Sequence, residues 1–433
     1  MNKVLFLSYY FPPMGMGGTQ RAAKFVKYLP EFGWEPWVVT VKDVHYYAHD
    51  PSLLQEVHDR QIFRTESWDP LRVMARIGRK GSKPEVTSSS SAPKKSRFLN
   101  WLNRTIGSWI FIPDSKILWL PFAVKTAFHL IRTKKIAVIF TTSPPHSAHL
   151  GGLILKMITG LPWLADFRDD WTGGESQPCP TWLHRFINRL MEKWVLRSAD
   201  RIIGMCDHLT NSLRLKAGYS SKARFVTIMN GYDREDFVGL EQMRLNERFT
   251  ICHSGSISRV SDPEPFLRAV KFALSQSPEL HDQIKIQFFG TDLFGRLTQL
   301  TRTLGLDHIV TSARYLPHRE ALTAIMQSHL LLLTIIKRTK EEIITGKLFE
   351  YLASGKPILL ISSEGEVANM IRSLHRGTVV HPDDISAIQQ AILQYVDHWR
   401  RNSLEIAPAV SLPQFDRRNL TDRLAQIFSD LYR

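Results

Sequence analysis

The sequence predicts an α/β protein made of two doubly wound domains, and three observations carry that prediction. The chain has 433 residues, more than one hydrophobic core ordinarily organises and enough for two. Several short runs are apolar throughout, as strands buried on both faces of a parallel sheet are; His329–Ile336 is one. Such runs lead into glycine- or proline-bearing turns and then into helical patterns, the βαβ order of an open α/β sheet. A hydrophobic content of 43% with 22% charged residues is that of a folded globular chain.

The elements follow in order. Lys3–Tyr9 is the first strand. A loop from Phe11 to Gln20 carries Pro12, Pro13, Gly15, Gly17 and Gly18, and leads into a basic helix, Arg21–Leu29, and a second strand, Glu35–Val41. A glycine-rich turn inside a βαβ unit raises a dinucleotide site. Its details fail: Gln20 stands where a third glycine belongs, and two prolines precede the first. Ile136–Thr142 is the next strand, ending in Ser143-Pro-Pro-His-Ser-Ala-His149, which starts a helix. His146 and His149 lie three apart on one face of that helix. They lack a third metal-binding partner, so a capping or acceptor-contact role fits them better. Pro162–Trp171 reads as a strand that ends in charge, with Asp166, Arg168 and Asp169. Ala199–Met205 is a further strand, and Asn230-Gly231 is a turn between the domains. The second domain opens at Phe249–Gly255, continues with the strand Ile284–Gly290 and the segment Arg314–His318, and an amphipathic helix, Asp416–Arg433, closes the chain.

Residues 342–357 are the most informative segment. After the strand 329–336, Thr345 is an N-cap, a short helix runs to Gly355, and Pro357 opens the next strand through Ile361. Glu342 then lies in a loop at the carboxyl end of a strand and Glu350 on the following helix. Open α/β sheets bind ligands at that edge. The helix start at Thr345, Gly346 and Lys347 offers free N–H groups and a partial positive charge suited to a diphosphate. Flanking glutamates can accept hydrogen bonds from sugar hydroxyls; an isolated pair would read as solvated surface charges.

This segment, with two glutamates separated by seven residues around KLFEYLASGKPIL, resembles the nucleotide-sugar signature of the GT-B glycosyltransferases, specifically the large retaining family 4. The resemblance implies two Rossmann-like domains facing across a cleft. It extends to the early turn, where Gly17 and Gly18 would approach the donor phosphate. It extends also to SPPHSAHL and GLPWLADFRDDW, similar to a subgroup acting on bacterial surface polysaccharides. Family members carry a catalytic histidine after the latter strand; Arg168 stands there instead. Asp166, Arg168 and His146 are then expected on the acceptor side and Asp169 in the catalytic set. In the second domain, Gly255 and Ser256 would meet the diphosphate with Arg259 beside them, and Tyr315 and Leu316 would meet the base. Thr345, Gly346 and Leu348 would bind the donor, Lys347 would hold the leaving diphosphate, Glu342 would contact the sugar and Glu350 the ribose. The lysine that most members have after Arg259 is missing from Val260–Pro265; Lys347, Lys337 or Arg338 would compensate.

The implied organisation is an acceptor domain at 1–238 with a basic insertion at about 75–105, a donor domain at 239–410, and a helix at 411–433 that returns to the first domain. The implied reaction moves a sugar from a nucleotide diphosphate sugar to a glycan or lipid-linked acceptor, with retention and without a covalent intermediate. No cofactor is expected, and no Asp-x-Asp metal motif is present. The alternatives are a nucleotide-sugar epimerase of the same architecture and a non-catalytic binding subunit.

The formal charge is +15. Much of it lies between Arg72 and Arg104, around a Ser/Pro-rich stretch that reads as a loop. Residues 94–111 set basic side chains beside Trp101, Trp109 and Phe111, which suits an anionic membrane surface and equally a linker entering a core helix. No nucleic-acid motif accompanies the charge. Cys179, Cys206 and Cys252 lack metal or redox spacing and suggest a reducing compartment. The N-terminus does not read as a signal peptide, and no apolar stretch reaches the ~18 residues a bilayer requires. The expected location is cytoplasmic, peripheral on the membrane's inner face.

Overall fold

The computed structural model describes residues 1–15, 17–42, 50–68, 111–173, 179–218, 224–258, 260–292, 295–313, 316–336 and 344–433. These form two compact units, Met1–Met229 with Arg418–Arg433, and Asn230–Arg417. The crossings fall at 229 and 417 rather than at 238 and 410. Tyr232 bridges to Asp416, and Arg417 Nε donates to the Gly231 carbonyl at 2.8 Å, which holds both segments in the second unit.

The first unit is a seven-stranded sheet. Its strands are β1 (Asn2–Leu7), β2 (Trp34–Val41), β3 (Gln61–Thr65), β4 (Val138–Ser143), β5 (Trp163–Phe167), β6 (Arg201–Gly204) and β7 (Arg224–Thr227), in the spatial order β3-β2-β1-β4-β5-β6-β7. Every pairing is parallel. Helices α1 (Gly17–Tyr28), α2 (Leu120–Lys134), α3 (Ser147–Thr159), α4 (Trp182–Ser198) and α5 (Asp207–Ala217) connect them. The glycine turn is shorter than the sequence predicts, because Gly17 and Gly18 already belong to the first turn of α1.

The second unit is a six-stranded sheet of β8 (Phe249–Ser254), β9 (Ile284–Phe289), β10 (Val310–Ala313), β11 (Leu330–Ile335), β12 (Ile358–Ser362) and β13 (Gly377–Val380). Its order is β10-β9-β8-β11-β12-β13, again wholly parallel. Its helices include α6 (Glu264–Gln276), α7 (His318–Gln327), α8 (Gly346–Ser354) and α9 (Ile385–Arg400). All six residues of β11 are buried, as a central strand covered on both faces requires.

The last helix, α10 (Arg417–Tyr432), lies outside its sequence neighbours' unit. Leu420, Leu424 and Phe428 join Phe6, Trp34 and Phe140 in the first unit's core, and Phe428 meets Trp34 at a ring distance of 5.3 Å. The three cysteines are free thiols. Among the described residues no helix is long and apolar enough to cross a membrane.

Candidate active site

In each sheet the strand order reverses at one place, between β1 and β4 in the first unit and between β8 and β11 in the second. The crevice beyond the carboxyl ends at such a reversal is where open α/β sheets take ligands. Among the described candidates, Gly18 and His146 come after β1 and β4, Gly255 after β8, and Lys347 lies in the helix after β11.

In the second unit, β8 ends at Ser254 and turns at Gly255, whose φ is 121°, in the region that favours glycine. A Cβ there would stand 2.6 Å from Lys347 Cε and Nζ, so the absent side chain makes room for that lysine. Lys347 comes from the first turn of α8, which Thr345 caps: its hydroxyl accepts from Lys347 N–H at 3.2 Å. The Lys347 ammonium lies 3.2 Å from His253 Nε2. His253 is buried, and burial holds its pKa well below the ordinary value, so its ring is neutral. With Nδ1–H donated to the Leu332 carbonyl at 3.1 Å, Nε2 is left as the acceptor for the lysine. Burial pulls Lys347 down to about 8, partly opposed by Glu350. Tyr351, on the same helix, fixes the strand end by accepting from Ser254 N–H at 2.7 Å.

Glu350, one turn along, is half-buried at 18% side-chain exposure. Its Oε1 lies 3.8 Å from His318 Nδ1, and His318 Nε2 lies 3.2 Å from Asp236 Oδ2. Burial raises the Glu350 carboxyl, with His318 and then Arg417 opposing. Sequence reasoning missed His318 and Asp236, which meet Glu350 from two other stretches of chain. Leu348 is fully buried, so its side chain packs in the core and only its backbone faces the helix start. Gly346 lies against Asn230; a Cβ on it would stand 3.3 Å from Asn230 Nδ2. Ser256 is exposed just past Gly255, and Leu316 is half-buried ahead of α7. Where the family's second lysine is missing, Asp262 pairs with Arg296 at 3.1 Å. Glu342, Arg259, Tyr315, Lys337 and Arg338 lie outside the described residues.

In the first unit, Arg168 follows β5 and is buried. Its guanidinium donates to the Ser143 carbonyl at 2.8 Å, the Pro144 carbonyl at 2.6 Å and the Gly18 carbonyl. A Cβ on Gly18 would stand 2.5 Å from Arg168 Nη1. The glycine expected to admit a phosphate therefore admits an arginine, which staples the start of α1 to the end of β4. Asp166 is wholly buried and faces Arg21, not Arg168. Arg21 Nη2 and Nε donate to its two oxygens at 2.8 and 3.2 Å, and Thr142 adds a bond of 2.8 Å. Arg21 continues to the carbonyls of Ile228 and Met229. This is a structural ion pair, and it leaves Asp166 no face for an acceptor. Asp169, by contrast, is exposed beside Arg168.

His146 stacks on Trp171 with ring centroids 4.9 Å apart and planes 8° from parallel. It caps nothing with its side chain; Asp114 does that work, accepting from Ser147 N–H and Oγ at 3.0 and 2.9 Å. Burial pulls His146 down to about 3, so it is neutral at physiological pH, and its Nδ1 has no partner among the described residues. Lys216 joins Asp170 and Glu192 into one half-buried network. Among the described residues no cluster of His, Cys, Asp and Glu could hold a metal ion.

Comparison with known proteins agrees with this architecture. The family model described as "Glycosyl transferase 4-like domain" matches residues 16–231, and the model for "Glycosyl transferases group 1" matches residues 241–405. No curated protein matches the chain as a whole. Among solved structures, sucrose-phosphate synthase from Thermosynechococcus elongatus aligns over 100% of this chain and 99% of its own, with a TM-score of 0.62 and 15% identity. A lipopolysaccharide outer core galactosyltransferase aligns over 99% and 100%, with a TM-score of 0.56 and 11% identity. The UDP-GlcNAc 2-epimerase from Neisseria meningitidis, bound to UDP-GlcNAc, aligns over 99% and 100%, with a TM-score of 0.53 and 11% identity. At these identities the likeness is one of fold.

Proposed function

The chain belongs to the GT-B glycosyltransferases, and on that premise we propose that it moves a sugar, with retention, from a nucleotide diphosphate sugar to a glycan or lipid-linked acceptor in surface polysaccharide synthesis. The observation that carries this reading is the meeting of Lys347, Gly255 and the capped start of α8 at the reversal point of the second sheet. A half-buried ammonium beside a helix N-terminus is a site for a diphosphate and stabilises it most as charge develops on departure. As the bond from the anomeric carbon to the diphosphate breaks, the acceptor oxygen bonds to the same face and its proton passes to the leaving phosphate. Glu350 accepts from the ribose hydroxyls, with His318 and Asp236 fixing its orientation. Arg259 and Glu342 complete the diphosphate and sugar contacts in this reading, Asp169 serves the acceptor side, and Arg168 and His146 shape the loops around it.

Peripheral attachment to an anionic membrane belongs to the same reading. The segment 94–111 lies outside the described residues except for Phe111, and α4 supplies the support. On that helix Asn188 and Glu192 are buried beside Val195 and Leu196, while Trp182 is 72% and Trp194 54% exposed, with Phe186 and Leu190 between them. Arg185, Arg189, Lys193 and Arg197 are exposed alongside. Exposed aromatics interleaved with cations suit the headgroup boundary of an anionic bilayer.

The donor half is tested by thermal shift with UDP, GDP, TDP and ADP. A ligand of the native state raises the melting temperature by mass action. A clear preference for one nucleotide is expected; no shift with any of them would favour a non-catalytic binding subunit instead.

A further inference from the structure

At the opposite edge of the donor unit's sheet lies a second site. Strands β12 and β13 run side by side, with Ile358 paired to Gly377 and Ile358 N–H donated to the Arg376 carbonyl at 2.9 Å. Lys356 and Arg376 immediately precede these strands, so two cations stand together at their amino ends. They line a cavity of about 650 Å³ with His375, Thr378, Tyr395 and His398. Lys356 is only 5% exposed and has no ion pair or side-chain hydrogen-bond partner among the described residues. Arg376 is buried as well; one Nη2 bond reaches Ser411 Oγ at 2.7 Å, and its Nε has no partner among the described residues. Burying an unpaired ammonium is costly unless something compensates it. The cost shows: burial pulls Lys356 down to about 8, and its charge helps burial hold His329 at about 4. Among the described residues Glu405 is the one carboxylate lining the cavity, and it is exposed.

We propose that this cavity binds a small phosphomonoester, with Lys356 and Arg376 holding the phosphate. A dianion matches a cavity lined by two cations, and the hydroxyls and imidazoles supply further donors for its oxygens. The volume falls in the range of small-molecule pockets, far above what a bare phosphate fills. The site stands apart from the donor cradle, which uses the carboxyl edge of the same sheet, and does not depend on the reading of that cradle.

Calorimetric titration with glycerol 3-phosphate tests it. The Lys347→Gln protein removes the donor-side lysine, so residual binding reports the cavity. Saturable binding is expected there, weakened at least tenfold in Lys347→Gln/Lys356→Gln. Equal binding by both proteins, or no Lys356-dependent response to either glycerol 3-phosphate or phosphatidate vesicles, overturns the proposal. Lys356→Gln removes an uncompensated charge and is expected to fold with an unchanged or higher melting temperature. Glu405→Gln changes only an exposed side chain and should tighten binding; weaker binding contradicts the assignment. Vesicles containing phosphatidate distinguish the source. A Lys356-dependent response to glycerol 3-phosphate alone assigns a soluble ligand, and one to vesicles alone assigns a lipid headgroup.

Discussion

Lys347 joins two properties that pull in opposite directions with pH. Its pKa falls from 10.5 to about 8 in the folded protein. The folded chain therefore loses this proton before the unfolded chain does, and stability contributed by this group rises between about pH 8 and 10.5. Diphosphate binding needs the ammonium, so nucleotide affinity should fall over the same rise through about 8. A titration series across that range should show the fall in the native protein and its absence in Lys347→Arg, since a guanidinium stays charged. Glu350→Ala is expected to lower transfer by roughly 10²–10³-fold, the scale of losing one oriented polar group in an active site, with the circular dichroism spectrum unchanged. Arg21→Ala should act on stability instead. It strands the buried Asp166 carboxylate, which costs about 3–5 kcal/mol, measurable by denaturant unfolding; a loss under 1 kcal/mol would argue against the ion pair. The sequence made Lys347, Thr345 and Glu350 legible because helix start, cap and glutamate lie within one short run. It hid His318, Asp236 and Arg21, because their partners arrive from distant stretches of chain and no spacing records the meeting.

Among the elements, α8 is the one whose sequence states its limits. Thr345 caps its start and Gly355 ends it, as capping chemistry predicts. Helix α1 was harder, since glycines read as loop where the structure continues the helix through them; Arg168 supplies the contact that makes this possible. Helix α4 also escapes a sequence reading, because an apolar stripe is ordinarily taken as the buried face. Here Asn188 and Glu192 take that face, bonded to Trp171 and Lys216. Replacing Trp182, Phe186 and Trp194 together by Ser should reduce co-sedimentation with vesicles rich in anionic lipid at least several-fold, while leaving the melting temperature unchanged or higher. Undiminished vesicle binding would remove α4 from the membrane reading.

For the whole molecule, the two-unit α/β architecture was legible from length and from the repeated passage of buried strand into turn and helix. The exact crossing points were not, because a Tyr232–Asp416 backbone bridge and the Arg417 side chain on the Gly231 carbonyl tie the connecting segments together, and neither carries a sequence signature. Lys347 and the Gly255 turn lie at the second sheet's reversal point, and the second unit has a cationic cavity at the opposite edge of that sheet. The central claim is that Lys347 at the Gly255 turn holds a nucleotide's diphosphate. Calorimetric titration of the best-binding nucleoside diphosphate into the native protein and into Lys347→Gln tests it most directly. Loss of a charge-assisted hydrogen bond of about 1.5–3 kcal/mol predicts affinity weaker by roughly 10- to 100-fold in the variant. Equal affinity in the two proteins would contradict the account.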